Sequence, residues 1–187
     1  MEKGAIEDRF AFIEFEKLIK KFNIKKIIET GTYYRWSTKK ICEFGINVET
    51  IELDQNNFNQ AQNLLKNINN VKLHLGSSPE ILENILNEGE ENIMFFLDAH
   101  WGKYWPLKDE LSVIAKKKIK PIISIHDFYV PDGNGSSKFG YDSYNNQNLD
   151  FGYIQECLRL IYGDKYSYHY SDQIECVNSG LIYIYPN

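Results

Sequence analysis

Residues 26–37 read KIIETGTYYRWS. A short apolar run, Lys26 to Glu29, ends in an acid and a Thr-Gly-Thr corner, and Ser37 stands where a helix cap belongs. That is the build of a strand-to-helix turn with a ligand above it. It is not a phosphate cradle, because the chain has no GxxxxGK[ST] and the turn is not GxGxxG. Glu29 directly beneath would also repel a pyrophosphate.

Outward from this turn, strand and helix patterns alternate. A helix is expected over 6–22, with Phe10, Ile13, Leu18 and Phe22 on one face, then a helix over 37–44 capped by Ser37 and stopped at Gly45. Strands follow at 48–53, 71–75, 93–97 and 121–125. Helices follow at 58–68, at 79–87 behind Pro79, at 107–117 and at 151–161. Two tyrosine-rich strands, 166–170 and 181–185, close the chain as an edge hairpin. Residues 131–150 have no period and read as a long loop, the expected substrate loop. The alternation predicts an α/β fold, a mostly parallel sheet with helices on both faces. Ligands of such folds bind over the carboxyl ends of the strands. There this sequence places Glu29, Glu52, Gly76-Ser77-Ser78, Asp98 and His126-Asp127.

The 187 residues suit one domain spanning 1–187, and the formal net charge of −5 argues against a nucleic-acid or anionic-membrane partner. Three scattered cysteines, Cys42, Cys157 and Cys176, form no CxxC pair, which fits a reducing compartment. No signal-peptide run and no bilayer-length apolar stretch is present, so the expectation is a soluble cytoplasmic protein. The edge hairpin or the N-terminal helix offers a surface for a homo-oligomer.

An acid-lined rim suits a cationic ligand. Glu52 lies about twenty residues beyond the first turn, the placement that serves ribose hydroxyls in nucleoside-binding sheets. A nucleoside with a cationic tail and no phosphate describes S-adenosylmethionine. At this point the chain resembles the class I S-adenosylmethionine-dependent methyltransferases, and within them the catechol O-methyltransferase-like small-molecule enzymes. The resemblance runs from about Ile24 to Asp127. It is carried by ETGTYYRWS at 29–37, TIELD at 50–54, LGSS at 75–78, FLDAHWGKYWPLKDEL at 96–111 and IISIHDF at 122–128. It implies the family's Rossmann-like fold, a seven-stranded sheet of order 3-2-1-4-5-7-6 with the seventh strand antiparallel.

The resemblance also implies roles. Glu29, Gly31, Thr32, Tyr33 and Ser37 would hold the methionyl end of the cofactor, and Glu52 with Leu53 the ribose. Ser77 and Ser78 would line the adenine and Asp98 would also meet the cofactor, although Ser78 reads equally as a cap before Pro79 and Asp54 as the cap of its own helix. His100 is the candidate base, because imidazole titrates near working pH, with Lys103 behind it. Asp98 and Asp127, with His126 in place of the family's third oxygen ligand, are the candidate holders of Mg²⁺ or another divalent ion. Arg35 stands where the family has glycine, and either crowds the cofactor or points outward. His74 and His169 read as structural. The implied reaction is methyl transfer to an oxygen of a small molecule, with a sugar among the acceptors considered. A dinucleotide enzyme on a similar sheet and a catalytically silent binding domain are the rivals.

Overall fold

The computed structural model describes residues 4–34, 36–100 and 104–187. Arg35, Trp101 and Lys103 lie outside the described residues. A 3-10 turn at Ala5–Glu7 precedes α1 (Arg9–Lys21). The single helix expected over 6–22 breaks there because Asp8 caps α1, its carboxylate accepting from the amides of Phe10 and Ala11.

Four strand-helix steps and a fifth strand follow: β1 (Lys26–Thr30), α2 (Trp36–Cys42), β2 (Asn47–Glu52), α3 (Gln55–Leu65), β3 (Val71–Leu75), α4 (Ser78–Ile85), β4 (Ile93–Leu97), α5 (Leu107–Lys116) and β5 (Ile122–Ile125). A small hairpin, β6 (Ser143–Tyr144) and β7 (Gln147–Asn148), leads to α6 (Phe151–Tyr162), β8 (Tyr166–Tyr170) and β9 (Ile182–Pro186). The seven-stranded sheet has the order β3-β2-β1-β4-β5-β9-β8. Strands β1 to β5 run parallel, and β9 lies antiparallel between β5 and β8. This is the expected seven-stranded order, with β9 as the reversed strand.

Helices cover both faces, which is why every residue of β4 (IMFFL) is buried rather than every second one. Ile27, Met94, Phe96 and Tyr183 face Phe15 of α1 and Ile41 of α2. Ile28, Phe95, Ile123 and Ile184 face Leu82 of α4, Leu111 of α5 and Leu158 of α6. Among the described residues no helix is long and apolar enough to cross a membrane.

Three local expectations are corrected. The third helix starts at Gln55 rather than at 58, because Asp54 caps it through the amides of Asn56 and Asn57, at 2.8 and 2.9 Å. Ser37 is not a cap: α2 begins one residue earlier, and the buried Ser37 hydroxyl accepts from Ile6 N at 3.4 Å. The 131–150 segment is not a bare loop. Asn145 and Asn146, at φ +49° and +60°, make the tight turn of the β6–β7 hairpin. Backbone bonds from Asp142 N to Asp127 O (2.8 Å) and from Tyr129 N to Leu149 O (2.8 Å) tie the segment to the end of β5.

Candidate active site at the crossing of β1 and β4

The chain leaves β3 at the sheet edge and re-enters as β4 beside β1, so the first turn opens where the two halves part. Gly31 sits there at φ +86°, and a Cβ on it would come within 2.7 Å of the Asp98 carbonyl oxygen. Only glycine meets both conditions. The amides of Gly31 and Thr32 bond the Ile51 carbonyl at 3.0 and 3.2 Å, and Asp98 N bonds Thr30 O at 3.1 Å. The turn is thereby pinned to β2 on one side and β4 on the other.

Glu52, at the end of β2, works in two directions. Its Oε2 accepts from Tyr33 N at 2.7 Å and its Oε1 from Asp54 N at 2.9 Å. Each carboxylate oxygen can take a further donor. Tyr33 itself stands at φ +41°, so Glu52, the acid expected to meet the ribose, also braces a left-handed residue of the turn.

Glu29 lies deeper. Its Oε2 accepts from the Thr38 and Thr50 hydroxyls, and Thr50 Oγ1 is 2.7 Å from Thr32 Oγ1. When Glu29 is ionised, Thr50 gives its one proton to it and Thr32 donates to Thr50. The Thr32 oxygen then turns lone pairs, not a proton, toward the space above. Burial pushes the Glu29 carboxyl up to about 8, against the two threonine hydroxyls that favour its ionised form. Glu29 does not reach the cavity wall, and its Oε1 is buried without a hydrogen-bond partner among the described residues.

A cavity of about 710 Å³ opens over this rim. Gly31, Thr32, Tyr33, Ser37, Glu52, Leu53 and Asp98 of the expected cofactor residues line it, as do His100, His126 and Asp127. Its described lining carries four carboxylates, those of Glu52, Asp54, Asp98 and Asp127, and no lysine or arginine. Ser77 and Ser78 do not line it. Ser77 holds the N-cap position of α4, and the buried Ser78 hydroxyl donates to Glu110. Glu110 is fully buried on α5, and burial pushes its carboxyl up to about 7, the Ser78 hydroxyl opposing. Sequence reasoning passed over Glu110, yet a signal was there: an acid falls in the apolar stripe of Leu107, Leu111 and Ile114.

Beyond the turn, His126 Nδ1 lies 2.9 Å from Asp98 Oδ1 and 3.4 Å from Asp127 Oδ2. Burial disfavours the imidazolium, but Asp98, Asp127 and Asp142 outweigh it and hold His126 at about 9. His100 Nδ1 lies 2.9 Å from Asp142 Oδ2 and 3.8 Å from Asp127 Oδ2. The hydrogen bond that His100 donates to Asp142 raises His100 above the usual imidazole range, and that bond lowers Asp142 in turn. Asp142 carried no local code in the sequence; the hairpin segment that folds back on β5 brings it there.

Asp98, His126 and Asp127 fall within 4.8 Å of one another, as do His100, Asp127 and Asp142. The first set is the one expected to hold a divalent ion, and its two carboxylates face an imidazole rather than a third oxygen donor. His126 Nδ1 is hydrogen-bonded to Asp98 and lies 3.4 Å from Asp127 Oδ2, and Phe128 follows Asp127. Mg²⁺ asks for oxygen ligands in near-octahedral array. The buried imidazole supplies the positive charge that the carboxylates otherwise lack.

No model of a known protein family matches the chain, and no curated protein does. Solved structures do. A Staphylococcus aureus protein assigned as a caffeoyl-CoA O-methyltransferase superposes with a TM-score of 0.65 at 20% identity, over 96% of this chain and 84% of that one. The O-methyltransferase TomG of Streptomyces achromogenes, solved with S-adenosylmethionine, gives 0.62 at 14% identity, over 93% and 78%. An rRNA methylase of Streptococcus thermophilus gives 0.60 at 13% identity, over 100% and 98%. Strand order, reversed strand and superposition agree: the chain has the fold of the class I S-adenosylmethionine-dependent methyltransferases and resembles their O-methyltransferase members.

Proposed function

We propose that this protein transfers a methyl group from S-adenosylmethionine to an oxygen of a small molecule. The observation that carries the reading is the wall of the 710 Å³ cavity, four carboxylates against the two imidazoles of His100 and His126, with no described lysine or arginine, around a glycine turn at the sheet crossing. Such a wall repels phosphate and favours a cationic nucleoside. Glu52 accepts from ribose hydroxyls with the lone pairs that Tyr33 and Asp54 leave. Thr32, with its proton committed to Thr50 when Glu29 is ionised, presents an acceptor to an ammonium group.

S-adenosylmethionine supplies an activated methyl group: the S–CH₃ bond breaks as the O–CH₃ bond forms, and the sulfonium becomes a neutral thioether. Asp142 holds His100 by Nδ1, so the other ring nitrogen is the one free to take the acceptor's hydroxyl proton. Alignment of the two reactants supplies most of the rate, and proton removal a smaller share. No step passes through a metal, and Lys103, outside the described residues, is given none.

Calorimetric titration of S-adenosylhomocysteine, with and without Mg²⁺, tests the reading. Micromolar binding that Mg²⁺ leaves unchanged is expected. Absence of binding in both conditions would leave only a shared fold, and binding without turnover on any hydroxylated acceptor would favour a silent domain.

A further inference from the structure

A second cavity, of about 190 Å³, lies between α1 and the chain joining β8 to β9. It shares two lining residues with the larger one, Ala5 and His126. The His126 ring sits on the α1 face of the sheet, with its centre 6.3 Å from that of Phe96, which packs against Phe15 of α1. One edge of the ring is spent, since Nδ1 faces Asp98 and Asp127. Nε2 is buried and has no hydrogen-bond partner among the described residues, and the side chain is 10% exposed. An unmade bond of this kind costs about 1–3 kcal/mol, so the position calls for a ligand atom.

The rest of the wall defines the ligand. Phe10, Ile174, Val177 and Leu181 make it largely apolar, and His169 stacks on Tyr183 at 5.0 Å to give a flat aromatic side. Its charges are already matched. Asp8 accepts from the amides of Phe10, Ala11, Glu175 and Cys176, Glu14 pairs with Lys17 and His169, and Asp172 pairs with Lys138. An ionic ligand therefore finds no spare partner here. The volume somewhat exceeds that of a cavity of about 150 Å³ that takes up benzene.

We propose that this cavity binds a small, uncharged, ring-bearing hydroxy compound whose hydroxyl bonds His126 Nε2. A hydroxyl accepts from a protonated Nε2 and donates to a bare one, so the assignment holds for either form of the ring. The compound would lie against the wall of the larger cavity. The proposal depends on the methyl-transfer reading only for the further step of naming that compound the methyl acceptor.

Phenol and toluene are the probes, followed by amide NMR shifts in the intact protein. Phenol should perturb α1 and residues 169–181 and bind about tenfold more tightly than toluene, a difference of about 1.4 kcal/mol. Val177→Phe, in the β8–β9 connection, should abolish the phenol shifts and leave S-adenosylhomocysteine affinity as in the wild type. His126→Phe should erase the preference for phenol over toluene. No phenol binding, equal affinity for the two probes, or phenol shifts that survive Val177→Phe would each overturn the site. If phenol binds as described and S-adenosylhomocysteine does not, the site stands and the methyl-transfer reading falls. If only S-adenosylhomocysteine binds, the reverse holds.

Discussion

The carboxylate of Glu52 holds the backbone amide of Tyr33 at 2.7 Å, so one acid links the end of β2 to the turn after β1. Two substitutions separate its duties. Glu52→Gln keeps an oxygen for an amide but loses the charge, and S-adenosylhomocysteine affinity should fall about tenfold, in line with a charge-assisted bond of roughly 1.5–3 kcal/mol. Glu52→Ala also releases Tyr33 from φ +41°, and should lower the melting temperature as well as abolish binding. Calorimetry beside thermal melts reads both, and equal melting temperatures for the two variants would deny the bracing role.

Gly31→Ala should be more damaging than its size suggests. The new methyl would meet the Asp98 carbonyl at 2.7 Å from a residue at φ +86°. Strain of this kind costs on the order of 1–3 kcal/mol. A clear drop in thermal stability with loss of cofactor binding is expected, whereas Gly89→Ala, at φ +69° in open space, should cost stability and spare binding.

Much of this was legible in the chain. The alternation from Lys26 to Ile125 gave a parallel sheet, and the acids at strand ends gave the rim, because both follow from local pattern. What escaped depended on distant partners. Ser78 stays off the cavity wall because Glu110, thirty-two residues on, takes its hydroxyl. Asp142 joins the site because two asparagines make a hairpin turn that glycine would have advertised. Glu29 was expected to meet the cofactor's ammonium group directly or through water, and Thr38 and Thr50 hold it beneath the cavity wall.

The protein should lose stability as the solution turns alkaline. Burial holds Glu29 at about 8 and Glu110 at about 7, above the ordinary 4.5. Burial opposes the charged form of His126, yet its carboxylate neighbours hold it at about 9, above 6.5. All three keep protons in the folded state that the unfolded chain releases. Their contribution is therefore whole at the acid side, drains for the glutamates between 4.5 and 8, and drains for the histidine between 6.5 and 9. Melting temperature should fall steadily from pH 5 to pH 9. Glu29→Gln, whose amide oxygen still accepts from both threonines, should flatten the stretch up to pH 8; an unchanged slope would show that Glu29 ionises freely.

Asp142→Asn should shift His100 downward in pH, since the Asp142 hydrogen bond is the leading cause of its raised value. The His100 ring proton followed by NMR titration reads this directly. In a methyl-transfer assay the acid limb should move to lower pH while the plateau drops, because the ring keeps its base form but loses its orientation. Asp142→Glu should recover part of the plateau. A titration curve that Asp142→Asn leaves in place would detach the two residues.

The strand order carries one more consequence. Gly31, Thr32 and Glu52 come from the chain before residue 87, and Asp98, His100, His126, Asp127 and Asp142 from the chain after residue 92. Among the described residues both parts line the 710 Å³ cavity, which lies along the seam where β1 zips to β4 in parallel register. A polypeptide severed within 87–92 would yield two inert fragments, and any regained affinity for the nucleoside would report their reunion, one strand pairing at a time.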